Sequence, residues 1–328
     1  KNTYAVKQVS LEKGEFQFKP LVTSTFTIDS QPSFIAPLNN KLIIGSKEGT
    51  IYNTDFTLQT EPNNAVKITE SLYDKVLDIE VIHTNFYLLT KNAISVANIS
   101  SSAEVVFSNN GYTNITAYGS SLILWSKGQR QQVKMINTLT GETKELFIPR
   151  IGIETLRVFD DSLVCVLGST TVLHYNLLSN KETTIYTGTG LQDAVLYSED
   201  SMFVSKTAAT NPKTPLIEIN TKTKETVMLP VSGDVIFSLA VDRNSMQSAI
   251  YGVSISTSNN SKRTEIFSFN PERKTYSAIL KWEDEDTQAF TSVINTILYT
   301  NIGKTNIRNL DMTTRKSLSL ERSASLPI

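Results

Sequence analysis

The chain has few of the residues that build disulfide frameworks and metal centres. Its 328 residues include one cysteine, Cys165, and two histidines, His83 and His174. A single cysteine excludes an intramolecular disulfide and a cysteine-rich zinc site, and two histidines leave few ligands for another metal. We therefore expect no metal and no other cofactor. The lone thiol slightly favours an intracellular location over export, and both compartments stay open.

An excess of charge of one sign and long apolar runs are also missing. Lys and Arg number 31 against 32 Asp and Glu, which gives a formal net charge of -1. The overall field that would steer the chain onto nucleic acid is thus absent, and a local basic patch stays open. No stretch approaches the roughly 18 apolar residues of a transmembrane helix. The chain begins without Met or a leader pattern, so we expect it to be a trimmed part of a longer protein.

What the chain does contain is a repeated strand pattern. Short runs rich in Val, Ile, Leu, Phe and Tyr recur from end to end, and no window sustains the spacing of an amphipathic helix. The pattern predicts an all-β protein. The runs that we interpret as the second strand of a repeating unit lie at residues 42–44, 86–89, 122–125, 163–166, 202–204, 249–253 and 297–299.

A second marker follows each run. It consists of an apolar residue, an Asn or Asp, a polar turn and another apolar strand, and Asn and Asp suit such turns because their side chains accept hydrogen bonds from the backbone two residues on. The spacing averages about 43 residues, which is typical of a propeller blade. The marker positions are Asn53, Asn98, Asn137, Asn176, Asn220, Asn270 and Asp311.

These units resemble the repeats of WD-repeat-like propellers, in particular the YVTN and quinoprotein types. The nearest matches are Ile-Asn-Thr-Leu-Thr-Gly-Glu-Thr at residues 136–143 and Ile-Asn-Thr-Lys-Thr-Lys-Glu-Thr at residues 219–226. The repeats predict a seven-bladed β-propeller of four-stranded antiparallel blades over residues 33–328, with an N-terminal extension over residues 1–32. We expect a strand of this extension to pair with the last blade and close the ring, because an open ring would expose unpaired edges.

No catalytic constellation accompanies the repeats. His83 follows an inner strand and is the one candidate ligand or base, while His174 and Cys165 lie in strands where structural roles are the simpler interpretation. The sequence has no Gly-x-Ser-x-Gly motif, no phosphate-binding loop ending in Lys-Ser or Lys-Thr, and no His-Glu-x-x-His motif. We therefore expect a protein that is not an enzyme.

The connections between strands are the expected site of function. In propellers the 2–3 and 4–1 connections share one face, and long loops on a rigid scaffold often carry function. We assign 2–3 connections to residues 127–131, 206–213 and 256–263, and 4–1 connections to residues 109–112, 149–150, 187–190 and 282–286. The binding candidates on this face are Tyr112, Arg130, Arg150, Lys206 and Trp282.

These features favour a non-enzymatic scaffold that binds other proteins or peptides, as the propeller domain of a larger protein or a subunit of an assembly. The ring by itself is expected to be monomeric. One alternative is that the charged loops only keep the protein soluble. Another is an exported or surface propeller that binds a small ligand, a glycan or a peptide, and the last is an enzyme that depends on His83.

Overall fold

The computed structural model shows a protein built from strands. It describes residues 2–12, 15–19, 25–28, 32–38, 41–46, 51–55, 66–69, 75–98, 101–208, 214–242, 249–258, 261–283, 287–293, 296–301, 307–311 and 316–322, and these contain no helix. The all-β prediction is confirmed. No helix long and apolar enough to cross a membrane occurs in this part of the chain.

The strands follow one another in regular sets of four. The first three are β1 (Asn2–Glu12), β2 (Glu15–Lys19) and β3 (Thr25–Ile28). The described strands that come next form six four-stranded sheets, β4 to β7, β8 to β11, β12 to β15, β16 to β19, β20 to β23 and β24 to β27. Their bounds are β4 (Pro32–Leu38), β5 (Lys41–Ser46), β6 (Ile51–Asp55), β7 (Val66–Thr69), β8 (Val76–Ile82), β9 (Asn85–Thr90), β10 (Ala93–Asn98), β11 (Ser101–Ser108), β12 (Asn114–Tyr118), β13 (Ser121–Trp125), β14 (Val133–Asn137), β15 (Thr143–Phe147), β16 (Ile153–Phe159), β17 (Ser162–Leu167), β18 (Thr171–Asn176), β19 (Lys181–Thr187), β20 (Leu191–Ser198), β21 (Ser201–Lys206), β22 (Leu216–Asn220), β23 (Thr226–Leu229), β24 (Val235–Asp242), β25 (Ala249–Ser258), β26 (Ser261–Asn270) and β27 (Thr275–Glu283).

A larger sheet holds both ends of the described chain. The last strands are β28 (Thr287–Val293), β29 (Thr296–Asn301), β30 (Ile307–Asp311) and β31 (Lys316–Arg322). The order in this sheet is β2-β1-β31-β30-β29-β28, and β3 also pairs with β1. β1 and β31 are antiparallel, with Val6 opposite Leu320. An N-terminal strand therefore pairs with the last set of strands, and β4 begins at Pro32, next to the predicted boundary between extension and propeller.

Both sequence markers have a structural counterpart. Each predicted apolar run lies in the second strand of its set, namely β5, β9, β13, β17, β21, β25 and β29. The Asn and Asp markers lie on the third strands, and at Asn137, Asn176, Asn220 and Asn270 the side-chain oxygen accepts backbone N–H groups two or three residues on, at 2.8 to 3.0 Å. The turn chemistry that the sequence predicts is thus present at these four positions.

Burial is highest in the second strand of a sheet and lowest in the fourth. Every residue of β13 and β17 is buried, whereas β15 and β23 are mostly exposed. A second strand is covered on both faces, which explains why its sequence is a continuous apolar run rather than an alternating one. Each fully buried Leu, Ile or Phe contributes about 1.5–3 kcal/mol to folding.

The chain divides into two compact units, each with its own core. The first comprises residues 1–125, 135–143 and 296–328, and the second comprises residues 126–134 and 144–295. In the first, a cluster that includes Ile82, Leu89, Ile115 and Leu124 joins the β8 to β11 sheet to β12 and β13. In the described part of the second, one cluster lies between the β16 to β19 and β20 to β23 sheets and another lies between the β20 to β23 and β24 to β27 sheets.

Candidate functional site

Two connections of the second unit are joined backbone to backbone. The amide of Gly128, in the connection after β13, donates to the carbonyl of Ile153 at 2.8 Å, and Lys127 forms an isolated bridge with the same residue. A Cβ at Gly152 would lie 2.3 Å from the carbonyl carbon of Gly128. Only glycine allows this approach, so the connections at residues 126–132 and 148–153 are in direct backbone contact.

Further connections of this unit continue the same surface. The described 2–3 connections after β13, β17 and β21 each form a backbone hydrogen bond with a 4–1 connection. We call residues 126–132, 148–153, 168–170, 187–191, 206–208 and 230–234 the loop face. The bonds are Gly168 N to Gly152 O at 2.8 Å, Leu191 N to Ser169 O at 3.0 Å, Thr207 N to Gly190 O at 2.8 Å and Ala208 N to Asp234 O at 2.6 Å.

The joined connections bring two predicted binding residues to neighbouring loops. Arg130 and Arg150 are both exposed, and neither makes a hydrogen bond or ion pair with any residue that the structure describes. Arg150 lies between two exposed apolar residues, Ile148 at 63% exposure and Ile151 at 42%. Arginine beside exposed apolar surface is typical of interface hot spots.

Tyr112, another binding candidate, has a buried side chain. Tyr112 is in the predicted connection between β11 and β12, but its side chain is only 4% exposed and belongs to the core cluster around Ile115. Its backbone is held by the Asn109 side chain, which accepts from Tyr112 N at 2.9 Å and donates to Tyr112 O at 2.8 Å. The ring of Tyr112 is therefore part of the core, and a binding role for Tyr112 stays a prediction.

Trp282 lies within β27, opposite Thr264, rather than in a connection. The acidic residues 284–286 that follow it, and residues 209–213 of the predicted connection after Lys206, lie outside the described residues. Lys206 itself ends β21 and is half-buried, with its amide donating to Pro215 O at 2.8 Å. The connection assigned to residues 256–263 is mostly strand, because β25 and β26 extend until Ser258 faces Ser261.

The three candidates for chemistry are in structural surroundings. His83 is an exposed residue with a positive φ of 57° in the turn after β8, 3.4 Å from Ser120 Oγ through Nε2. His174 lies on β18 with its Nε2 2.9 Å from Ser162 Oγ, and burial, together with Lys224, lowers its pKa. Cys165 is fully buried, and burial, reinforced by Glu182, raises the pKa of its thiol and opposes formation of a thiolate.

Sequence reasoning missed the buried charges on the first strands. Asp193 on β20 is 1% exposed and accepts from Ala194 N at 2.9 Å and Leu239 N at 2.9 Å. It also accepts two bonds from Arg157, at 2.6 and 3.3 Å, and its carboxylate raises the pKa of that guanidinium. One carboxylate therefore connects β16, β20 and β24, the first strands of three consecutive sheets.

Asp78 holds the equivalent position in the first unit. It follows a register shift in β8, as Asp193 does in β20, and accepts from Ile79 N and from Ile115 N on β12, both at 3.0 Å. Burial raises the pKa of Asp78 to about 6, and burial together with Asp78 raises that of Glu80 to about 8. An apolar-x-Asp-apolar pattern at Val76 and Leu191 was the signal in the sequence.

Comparison with known proteins identifies the fold. Solved structures that superpose on the chain include the WD40 β-propeller domain of Doa1, with a TM-score of 0.60, 8% identity and coverage of 89% of this chain and 93% of the other. The β-propeller domain of Cps50 (Swd1) from Myceliophteria thermophila gives 0.58, 8%, 89% and 98%, and BamB from Moraxella catarrhalis gives 0.52, 9%, 91% and 99%. The chain has a WD40-like β-propeller fold.

These likenesses show the propeller fold alone, because the identities are so low. A family model described as "Uncharacterised protein" matches residues 292–328 of the propeller chain. No curated protein matches the chain in sequence.

Proposed function

We propose that the protein is a seven-bladed propeller that acts as a non-enzymatic scaffold for other proteins, as a domain of a larger protein or a subunit of an assembly. The seven second strands and the pairing of β1 with β31 support the blade number and the closure of the ring. The scaffold role is supported by the surroundings of His83, His174 and Cys165, which favour structural roles. The partners are proteins or peptides, and the ring itself is monomeric.

The observation that carries this proposal is the loop junction around Gly128 and Gly152. It presents Arg130 and Arg150 on neighbouring loops that are joined through their backbones, with Ile148 and Ile151 exposed on the second loop. Two exposed guanidinium groups with apolar flanks suit a partner segment that carries carboxylates next to apolar side chains, since Arg forms bidentate bonds with carboxylate. We infer that this junction binds an acidic segment of the partner.

The proposal is tested by affinity capture from cells with three forms of the chain: wild type, Arg130→Gln/Arg150→Gln, and Arg273→Gln as the control. Arg273 is equally exposed but lies in the turn between β26 and β27, at the other end of its sheet from the 2–3 connection. We expect the double variant to lose the proteins that wild type and control retain, and capture to weaken at high salt. Equal capture by all three forms would remove the loop junction as the binding surface.

A ligand-binding propeller is the second candidate function. The observation that favours it is a cavity of about 460 Å³ in the second unit, at the end of the sheets opposite the loop face.

A further inference from the structure

The cavity lies between two neighbouring sheets of the second unit. It opens where β16 turns into β17 and where β20 turns into β21, and it has a volume of about 460 Å³. That volume lies in the range of about 300–1,000 Å³ that is typical of small-molecule sites. The residues that define its chemistry are Phe159, Asp160, Asp161, His174, Tyr197 and Glu199.

The charges that line the cavity have one sign. Asp160, Asp161 and Glu199 contribute three carboxyl groups, and no Lys or Arg is among the lining residues. Two lysines act on the wall from outside the lining: Lys222 pairs with Asp200 at 2.6 Å and its charge also interacts with Glu199, and Lys224 acts on His174. A concave site lined by carboxylates concentrates positive charge.

His174 carries no positive charge that would repel a cation at this site. Its Nε2 lies 2.9 Å from Ser162 Oγ, which fixes the ring against the wall. Burial lowers its pKa below the ordinary 6.5, and Lys224 lowers it further, so the imidazole is neutral at pH 7.

Two aromatic rings complete the walls and are anchored in the core. Phe159 packs against both hydrophobic clusters of the second unit, and Tyr197 packs against one of them. Tyr197 also meets Phe203 edge to face, with ring centroids 5.9 Å apart. Rings held in this way are rigid faces on which a cation can stack.

The arrangement suits an organic cation better than a metal ion. Among the described residues, no three Asp, Glu, His or Cys side chains converge closely enough to hold a metal. The lining instead combines three carboxyl groups and two aromatic rings around a space large enough for a guanidinium or alkylammonium group.

We propose that this cavity binds an organic cation of the guanidinium or alkylammonium class, supplied either by a free small molecule or by an Arg or Lys side chain of a peptide. The site is independent of the proposed scaffold surface. β16 begins at the loop face and ends at the cavity, so the two sites lie at opposite ends of the same strands.

Calorimetric titration with N-acetyl-arginine amide tests the proposal, and N-acetyl-citrulline amide is the neutral probe of the same shape. The variant Asp161→Asn/Glu199→Gln removes two charges from the wall, and Glu272→Gln is the control at an exposed site in the turn between β26 and β27. We expect wild type and control to bind the arginine probe with a dissociation constant of about 1 mM or lower. The double variant should bind about tenfold more weakly or worse, because each 1.4 kcal/mol of lost attraction is tenfold.

Equal affinity for the citrulline probe, unchanged binding by the double variant, or no binding of the arginine probe by wild type would each overturn the proposal. An arginine-containing pentapeptide identifies the source of the cation: tighter binding of the peptide than of the free amide indicates a polypeptide ligand, and equal binding indicates a small molecule. Circular dichroism of the double variant verifies its fold. The two proposals can fail separately, because the capture experiment with the Arg130 and Arg150 variants does not depend on cation binding at the cavity.

Discussion

Single buried residues link neighbouring sheets through hydrogen bonds. Asp193 is almost fully buried, and its carboxylate accepts four hydrogen bonds, which come from Arg157, Ala194 and Leu239. We expect Asp193→Ala to destabilise the protein by about 3 kcal/mol, because it leaves a charged group and buried N–H donors without their acceptor. Urea unfolding of the single variants and of the double variant with Arg157→Ala measures the pairwise energy.

In this double-mutant cycle, Asp193 and Arg157 should show a coupling energy of about 1–3 kcal/mol, as is typical of residues in one network. Asp193→Asn is the matched control, because it retains one oxygen acceptor and should recover part of the loss. Additive effects of Asp193→Ala and Arg157→Ala would contradict the interpretation that the pair stabilises the junction of the three first strands.

The carboxyl pair on β8 predicts how stability depends on pH. Burial, together with Asp78, raises the pKa of Glu80 from 4.5 to about 8, so the folded protein holds a proton that the unfolded chain releases. Stability from this group is therefore complete below about pH 4.5 and is lost as pH rises towards about 8, by at most about 1.4 kcal/mol per pH unit. Unfolding free energies measured across this range test the slope.

Glu80→Gln should flatten this slope, because the amide stays neutral throughout. Glu104→Gln, an exposed change of the same kind on β11, should keep the slope of wild type. If the stability of Glu80→Gln and of Glu104→Gln depends on pH in the same way, Glu80 is not the source of the slope.

At the scale of elements, local chemistry made the strands predictable. The apolar runs of β9, β13, β17 and β21 form second strands because both faces of these strands are covered, and the marker Asn residues form turns because their side chains bond the backbone amides that follow. What the sequence could not reveal depends on packing between distant segments. Tyr112 is buried by residues of other strands, and Trp282 lies in a strand because β26 and β27 pair further than the turn pattern indicates.

The same limit applies to the candidate sites. Arg130 and Arg150 could be predicted as exposed loop residues, but their junction depends on the approach of Gly128 to Gly152, which no local pattern encodes. The cavity next to His174 is formed by two sheets whose turns are far apart in sequence. Strand and turn signals are local, whereas sites arise from the packing of one sheet on the next.

The turns between third and fourth strands share a left-handed position. Four residues after the marker Asn, φ is 74° at Gly141 and 65° at Lys224. A side chain there costs about 1–2 kcal/mol, partly offset by the greater freedom of glycine in the unfolded chain. We expect Lys224→Gly to stabilise the protein by about 0.5–1 kcal/mol and Gly141→Ala to destabilise it similarly. Thermal unfolding of both variants provides the test.

A Cβ at Gly141 would have Phe107 at 3.9 Å as its nearest neighbour, an ordinary contact, so the expected loss comes from the backbone alone. Lys224→Asn is an intermediate control, since Asn tolerates the left-handed region better than Lys. Destabilisation by Lys224→Gly would show that contacts of the Lys224 side chain outweigh its backbone strain.

On the scale of the whole molecule, the decisive strand is β1. It pairs with β31 on one side and with β2 and β3 on the other, so it is a central strand of its sheet. In the proposed seven-bladed ring this pairing joins the first and last segments of the chain. A propeller without it would present an unpaired edge, which is a template for association with other chains.

Val6→Pro tests this role, because proline removes a backbone donor from the middle of β1, opposite Leu320. Val6→Thr retains the N–H and is the control. If β1 closes the ring, Val6→Pro should speed hydrogen exchange in β31 and also lower the melting temperature of the whole chain, by several degrees for a loss of about 1–3 kcal/mol. If β1 is only an added strand, exchange should change in β31 alone and the melting of the other sheets should match that of Val6→Thr.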